Sequence, residues 1–364
     1  MHIMNGSPLC IGTLMFVLTS GLQSQSSPLS PQEIDLQKIG YPASCDYMFQ
    51  DKDAYDKRHV EFLDSDRLLV SFPLRSAPCD RNRQPPAEKY RSVVIDTAGR
   101  QLHSFDWSPG ENVQAGPDGH ILMTSGWEIR ILDSDFSVLQ HVEWMSGEDP
   151  QRKAMQHWAW YLITAPSRHG FIVGERYPQY RAAYFEGNPA RQTVAADSCW
   201  PAAVTDGGFA CLEASKEQLV IHLGNSERDA HDPLLPKAQV AILPDPQTVL
   251  ILTDKYQLYL LGPSRSKQKI ADLHWLAPGW NSGFRWELAS AAAGRILFFS
   301  HGARFPITDT GGFGLYLRVA VVDVASKAIV FRAQYPIDSD VAISPDGHLL
   351  AVRTKTRLTL NRLP

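Results

Sequence analysis

The stretch "VAISPDGHLLAVRTKTRLTLNRL" (Val341–Leu363) has a near copy of its first half in "VQAGPDGHILMTSGWEIRIL" (Val113–Leu132). In each, an alternating apolar segment meets Pro-Asp-Gly, where proline presets φ and glycine takes a positive φ, and a second apolar run leaves at once. That pattern is a β-hairpin. A second break, "TSGW" or "RTKT", precedes a third strand, "EIRILDSD" or "RLTLNRL". Weaker versions fill the chain between and before: "VEFLDSDRLLVSF" with "SVVIDTAGRQLHSF", "YLITAPSRHGFIVGE", "PAAVTDGGFACLEAS" with "LVIHLG", "QVAILPDPQTVLILTDKYQLYLLG", and "WELASAAAGRILFFS" with "LYLRVAVVDVASKAIVF". With Asp66, Asp118, His169, Asp206, Pro246, Gly294 and Asp346 as turn landmarks, the period is roughly 40 to 50 residues, the range of propeller blades. The expected fold is all-β: a single β-propeller of about seven four-stranded blades.

The two Pro-Asp-Gly hairpins resemble the blade-opening "V-x-x-S-P-D-G-x-x-L-A-V" of the WD40-like and YVTN-type β-propeller superfamily, over roughly Arg58 to Pro364. The chain departs from WD40 proper. No Trp-Asp ends a third strand, and His120 and His348 follow the hairpin turn instead of preceding the first strand. What the resemblance implies is therefore a fold and no chemistry, because propellers host enzymes, scaffolds and receptors alike.

Of 364 residues, 44% are hydrophobic and 20% charged, with 25 Pro and 25 Gly, a soluble composition rich in turns. A net charge of -4 without a concentrated basic run argues against nucleic acid as a partner. "LCIGTLMFVLTSGL" (Leu9–Leu22), followed by "QSQSSPLSPQ", reads as a signal peptide over residues 1–26, cleaved after Ser26. The alternative is an uncleaved anchor, since no Lys or Arg precedes the apolar run. Cleavage would make the protein secreted or periplasmic, a monomer with no membrane insertion. It would also leave Cys45, Cys79, Cys199 and Cys211, an even number where disulfides form. Cys45–Cys79 and Cys199–Cys211 are the expected pairs, because each joins chain neighbours without C-x-x-C spacing.

The propeller proper is expected at 58–364, and residues 27–57 should supply a strand that completes the last blade, with candidates between Gln37 and Gln50. In four-stranded blades the first-to-second turns share one face, and second-to-third connections and blade crossovers share the other. The first class is short here. Long connections fall in the second: Pro73–Tyr90, Met145–Trp158, Glu175–Arg181, His274–Trp286 and His301–Gly314. Long loops on one rigid face are where function concentrates. The candidate ligand-binding residues are Arg176, Tyr177, Tyr180, Arg181, Trp280, Arg285, His301, Arg304 and Phe305, beside His157, Trp158 and Phe313. Aromatic rings with planar guanidinium forks suit a glycan or an acidic peptide. Packing between blades is the competing role, for Trp286 and Trp158 above all.

Catalytic vocabulary is sparse. His120 and His348 read as turn histidines, and the triplets Asp64–Asp66, Asp133–Asp135 and Asp338–Asp340 lack the extended calcium loop, so they read as turns capped by their own side chains. "TDTGGFG" (Thr308–Gly314) lacks the Lys-Ser/Thr of a phosphate loop, and there is no G-x-S-x-G or H-E-x-x-H. Neither a cofactor nor a metal is called for. The reading is an exported, non-catalytic propeller that binds a protein or glycan. The alternative is a propeller enzyme, a lactonase-like hydrolase or a quinoprotein-like redox subunit, with His, Glu, Asp or Asn converging on the central channel.

Overall fold

The computed structural model describes residues 31–42, 59–74, 88–125, 128–143, 162–175, 181–197, 199–213, 218–223, 226–229, 238–245, 248–253, 255–261, 267–276, 286–304, 314–336 and 339–364. Residues 31–364 form one compact unit. The described residues are strands, turns and short 3-10 segments, arranged as seven four-stranded antiparallel sheets.

In chain order, the first sheet is β2 (His59–Phe62), β3 (Arg67–Leu74), β4 (Lys89–Asp96) and β5 (Gln101–Trp107). The second is β6 (Glu111–Ala115), β7 (Ile121–Ser125), β8 (Glu128–Leu132) and β9 (Val138–Glu143). The third is β10 (Leu162–Pro166), β11 (Gly170–Glu175), β12 (Arg181–Glu186) and β13 (Arg191–Asp197). Next come β14 (Cys199–Thr205), β15 (Gly208–Glu213), β16 (Gln218–Leu223) and β17 (Ser226–Asp229), then β18 (Ala238–Asp245), β19 (Thr248–Thr253), β20 (Gln257–Leu261) and β21 (Lys267–Asp272). The sixth is β22 (Trp286–Ala292), β23 (Arg295–Arg304), β24 (Gly314–Asp323) and β25 (Ala328–Pro336). The seventh holds β26 (Asp340–Ile343), β27 (Leu349–Thr354) and β28 (Arg357–Arg362), and its fourth strand is β1 (Gln32–Asp35).

Buried cores are shared by the first and second, second and third, third and fourth, fifth and sixth, and sixth and seventh sheets, because their central strands are apolar on both faces. Leu68, Val70 and Phe72 of β3 pack with Ala342, Ala351 and Leu358 of the last sheet, whereas Leu69 joins Val113, Ile121 and Met123 of the second. Leu122 and Ile129 of the second sheet meet Phe171 and Val173 of the third, and Ile172 and Tyr184 meet Phe209 of the fourth. The same alternation splits β23: Ile296 and Phe298 face the fifth sheet, Leu297 the seventh. Period-two side-chain direction is the cause. Reading these strands as half-polar would leave one of the two cores empty.

Of the turn landmarks, Pro246 lies outside the described residues. The others all fall in connections from a first to a second strand. The least patterned stretch, residues 146–200, contains the third sheet where it is described. The completing strand differs from expectation. It is Gln32–Asp35, paired with Leu360 to Arg357, ahead of the Gln37–Gln50 window. Inside that window Leu36–Ile39 is a 3-10 turn, closed by Gly40 at φ 85, whose Leu36, Ile39 and the following Tyr41 are buried in the core shared by the first and last sheets. The polar "QEID" shows little alternation, so the apolar residues behind it drew the reading downstream.

Candidate functional site

Within each sheet, strand order puts the first-to-second and third-to-fourth turns at one end. The second-to-third connection and the exit to the next sheet lie at the other. Two roots of the long connections are described in atomic detail. After β21, the segment His274–Leu276 makes a 3-10 turn, with the Asp272 carboxylate accepting the His274 N–H at 3.1 Å and Lys269 Nζ at 3.2 Å. These bonds, the backbone one foremost, hold the Asp272 carboxyl below its ordinary range. Ser300 Oγ donates to the Leu276 carbonyl at 2.6 Å, and Arg318 Nη1 donates to the Trp275 carbonyl at 2.6 Å. Ser300 and Arg318 face each other across β23 and β24. The Arg318 guanidinium also lies 4.5 Å from the centre of the buried Tyr316 ring and 5.5 Å from that of Trp275, within cation–π range. The connection that carries Trp280 and Arg285 thus leaves from a pinned root.

The second root belongs to the first sheet. Trp107 Nε1 donates to Ser92 Oγ at 2.9 Å, and Ser92 shares a 2.7 Å bond with Ser71, all three buried. Tyr90 stacks on Trp107 at 4.7 Å. These groups brace β3 and β4 beside the connection that carries Cys79.

Arg176, Tyr177, Tyr180, Trp280, Arg285 and Phe305 lie outside the described residues, as do His157, Trp158, Phe313, Cys45 and Cys79. Three further candidates are strand residues, which corrects their assignment to loops. Arg181 opens β12, half-buried, opposite Glu175 and Asp197. His301 and Arg304 close β23, opposite Leu317 and Gly314. The ladder reaches them because "LYLRVAVVD" continues its alternation toward Gly314, so the connection starts only after Arg304. Trp286 likewise opens β22, opposite Ser300. Trp275, Tyr316 and Arg318 were missed. Their signal was a lone arginine inside an apolar strand, which calls for a fixed partner.

On the first strands a different cluster forms. β2 has one neighbour in its own sheet, so the N–H groups of its other edge need acceptors. Asp340 Oδ2 accepts the Val60 N–H at 2.6 Å while Oδ1 accepts that of Val341 at 2.9 Å. Glu61 Oε2 accepts the Ala115 N–H at 2.6 Å and lies 3.5 Å from His59 Nε2. Burial pushes the carboxyls of Glu61 and Asp340 up, against the pull of His59 and the Ala115 N–H on Glu61 and of Arg353 on Asp340. Sequence spacing hid this, since Val60 and Asp340 are 280 positions apart.

At the short-turn end, turns bond to turns. The Asp118 N–H donates to the Arg168 carbonyl at 3.0 Å, and Asp118 Oδ1 meets His169 Nδ1 at 2.8 Å. The His169 N–H donates to Asp206 Oδ1 at 2.9 Å, which ties three successive sheets. Arg295 Nη1 donates to the Gly347 carbonyl at 2.7 Å, between the sixth and seventh. In both Pro-Asp-Gly copies the aspartate reaches a neighbouring turn: Asp118, at φ 53, meets His169, and Asp346, which accepts from Ser344 Oγ at 2.5 Å and from the His348 N–H at 3.0 Å within its own turn, also bonds the Ser65 side chain of the first sheet. Two of the aspartate triplets behave as read: Asp64 Oδ1 accepts the N–H groups of Asp66 and Arg67, and Asp135 Oδ1 that of Ser137; the third is corrected, since Asp338 lies outside the described residues and Asp340 opens β26 and bonds the Val60 N–H of the first sheet. Among the described residues no group of three or more His, Cys, Asp or Glu is arranged to hold a metal.

No protein family and no curated protein matches the chain. Among solved structures it is similar to "Crystal Structure of Mitotic Checkpoint Complex", at 12% identity and TM-score 0.47, covering 97% of this chain and 99% of that one. It is also similar to PorZ, a surface component of the type-IX secretion system of Porphyromonas gingivalis, at 10% identity and TM-score 0.49, covering 85% of this chain and 38% of that one. A third is the C-terminal WD40 domain of Sif2, at 10% identity and TM-score 0.43, covering 85% and 96%. The architecture is WD40-like at the level of fold. That statement rests on the sheets themselves, and the likenesses carry nothing about function.

Proposed function

We propose that the seven sheets are the blades of one ring completed by β1, and that this ring is an exported, non-catalytic binding protein that takes a protein or glycan on its long-connection face. Support for the ring comes from the core shared by the first and last sheets and from equivalent contacts of fourth strands. Gln32 of β1 donates to the Thr97 carbonyl in the third-to-fourth turn of the first sheet, as Gln140 of β9 does to Ala190 in that of the third. Export would let Cys45 bond Cys79 and Cys199 bond Cys211. The second pair occupies diagonal register positions, Cys199 opposite Glu213 and Cys211 opposite Pro201. Diagonal neighbours lie about 7–8 Å apart, wider than the usual disulfide span of about 4.4–6.8 Å, so that bond asks for a local shift beside the bulge at Pro201.

The observation that carries the binding reading is the contrast of the two ends. Among the described residues, Asp118, His169, Asp206 and Arg295 at the short-turn end tie sheet to sheet, whereas the described roots of the long connections are held by side chains of the strands. The test is capture of envelope proteins and glycans by wild type, by W280A/R304A and by H120A/H348A. Loss of capture only in W280A/R304A supports the reading. Capture lost in H120A/H348A and retained in W280A/R304A places the site at the other end and sinks it.

One observation favours the enzyme reading: His59, Glu61 and Asp340 meet on the first strands. Their carboxylates, however, already serve backbone N–H groups of neighbouring sheets, and general base work needs a free acceptor near the reacting atom. A lactonase or quinoprotein-type activity lost in E61Q at unchanged folding would move the site there.

A further inference from the structure

β25 is the last strand of its sheet, so one of its edges has no strand beside it. Two features set it apart from the other six fourth strands. It is the longest, at nine residues against seven or fewer, and its pairing with β24 runs unbroken over six pairs, from Tyr316 with Pro336 to Val321 with Phe331. Bulges leave shorter runs on β5, β9 and β13, five pairs on the first and four on each of the others. Its charge is also of one sign. β1, β5, β9, β13, β17 and β21 each contain an Asp or Glu, whereas β25, "AIVFRAQYP", contains Arg332 alone and follows Lys327. Both cations are exposed and have no ionic partner among the described residues. The carboxylates of the adjoining elements are committed. Asp323, in the turn before β25, accepts from Ser326 and Arg295; β21, which touches β25, carries Lys267, Lys269 and Asp272, the last held by Lys269 and the His274 N–H.

The two sides of this edge differ in kind. Period-two direction puts the exposed Arg332 and Gln334 on the side of Ala320, toward the fifth sheet, and the half-buried Phe331 and Tyr335 on the other, packed on the core shared with the seventh. We propose that the free edge of β25, between Phe331 and Pro336, takes an extended peptide in which acidic residues alternate with apolar ones, adding a strand to the sixth sheet. Main-chain bonds along the edge supply the hold, and the alternation supplies the choice of partner: acidic side chains beside Arg332, apolar ones beside Phe331 and Tyr335. A second copy of this chain fits worse, because two-fold pairing about the middle of β25 sets Arg332 against itself. Pro336, without an N–H, ends the edge. Edge and long-connection face are probed by different variants, so each reading can fail alone.

The probe is a synthetic peptide of alternating valine and glutamate, long enough to span Phe331–Pro336, with a valine–lysine peptide as its control. The intact wild-type chain should bind the glutamate peptide, and amide hydrogen exchange should slow on β25 while that of β9, also a fourth strand, stays unchanged. The lysine peptide should bind at least about fivefold more weakly, since opposite charges attract across strands and like charges repel. Of two copies of the glutamate peptide, N-methylated at every valine or at every glutamate, the one whose blocked amides face β25 should lose binding. R332E alters an exposed side chain, so its melt should match that of wild type while preference passes to the lysine peptide. Failure of the glutamate peptide to bind, equal binding of the two charged peptides, protection gained away from β25, or an R332E chain that keeps the wild-type preference overturns the proposal. Pairing of wild-type chains in sedimentation, with protection at the same amides, gives the edge to a second copy and overturns it too.

Discussion

The two ends of the sheets solve the same problem, holding neighbouring sheets together, with different parts of the chain. At the short-turn end the contacts run between turns through half-exposed side chains: Asp118 and His169 are 52% and 48% exposed. At the other end the buried Ser300 and the half-buried Arg318 donate from the strands to backbone carbonyls at the root of a connection, beside the exposed bonds of Asp272. The difference teaches that turn sequences here do more than reverse the chain. It also shows that a long connection can change its residues without loosening its own root, because the anchors belong to the strands.

The largest effect expected at the short-turn end comes from Gly170. A Cβ added there would collide with the Tyr184 hydroxyl and the Phe185 carbonyl oxygen, both in the neighbouring strand. Tyr184 cannot step aside easily, since its hydroxyl bonds Ser167 at 2.8 Å and its ring is buried among Ile172, Val194 and Phe209. Overpacking of this kind costs about 1–3 kcal/mol and sometimes more, so G170A should lower the denaturation midpoint clearly. A wild-type midpoint would mean that the turn end yields, and the rigid picture of it would fall.

S92A probes the other end at a similar but smaller scale. It leaves the Trp107 indole N–H buried without its acceptor and removes the partner of Ser71, a loss of about 1–3 kcal/mol. Equal melting of S92A and wild type would show that this buried root is not an anchor. A small effect is expected for D118A, which removes the carboxylate facing His169. Exposed pairs of this type contribute about 0–1 kcal/mol, and less at high salt. Should D118A cost more than S92A, the order of the two ends reverses.

Much of this fold was legible before any coordinates. Pro-Asp-Gly turns and period-two apolar runs are local, and a hairpin needs nothing beyond its own residues; six turn landmarks fell where hairpins reverse. Contacts between sheets were not legible, because no local pattern in "HVEF" announces that Glu61 will serve Ala115 or that Asp340 will serve Val60. Strand ends were legible only in part. His301 and Arg304 looked like loop because "HGAR" is polar and contains glycine, yet pairing with a strong partner strand carried the ladder through them. Tertiary pairing overrode local propensity there. Tyr316, Arg318 and Trp275, which brace one of these connections at its root, drew no notice because the reading looked for recognition residues in the loops themselves.

The smallest expected effect on stability is that of W280A/R304A, and it sharpens the comparison most. Arg304 is the last residue of β23, paired with Gly314, and truncating its side chain leaves that backbone pair in place. The root ahead of Trp280 is fixed by Ser300 and Arg318 through main-chain carbonyls, which the substitution leaves untouched. Changes that remove no buried packing or turn contact stay within about 0.5 kcal/mol, so the melt should overlay that of wild type while capture falls. H120A/H348A should keep capture, and its melt should move little, because the described bonds of both histidines are made by their backbone groups. A large drop in the W280A/R304A melt would mean that Trp280 or Arg304 packs as part of the fold. The contrast between the two ends would then be one of burial alone, since the long-connection end would be using its own residues as anchors, and the argument for a free recognition surface there would be lost.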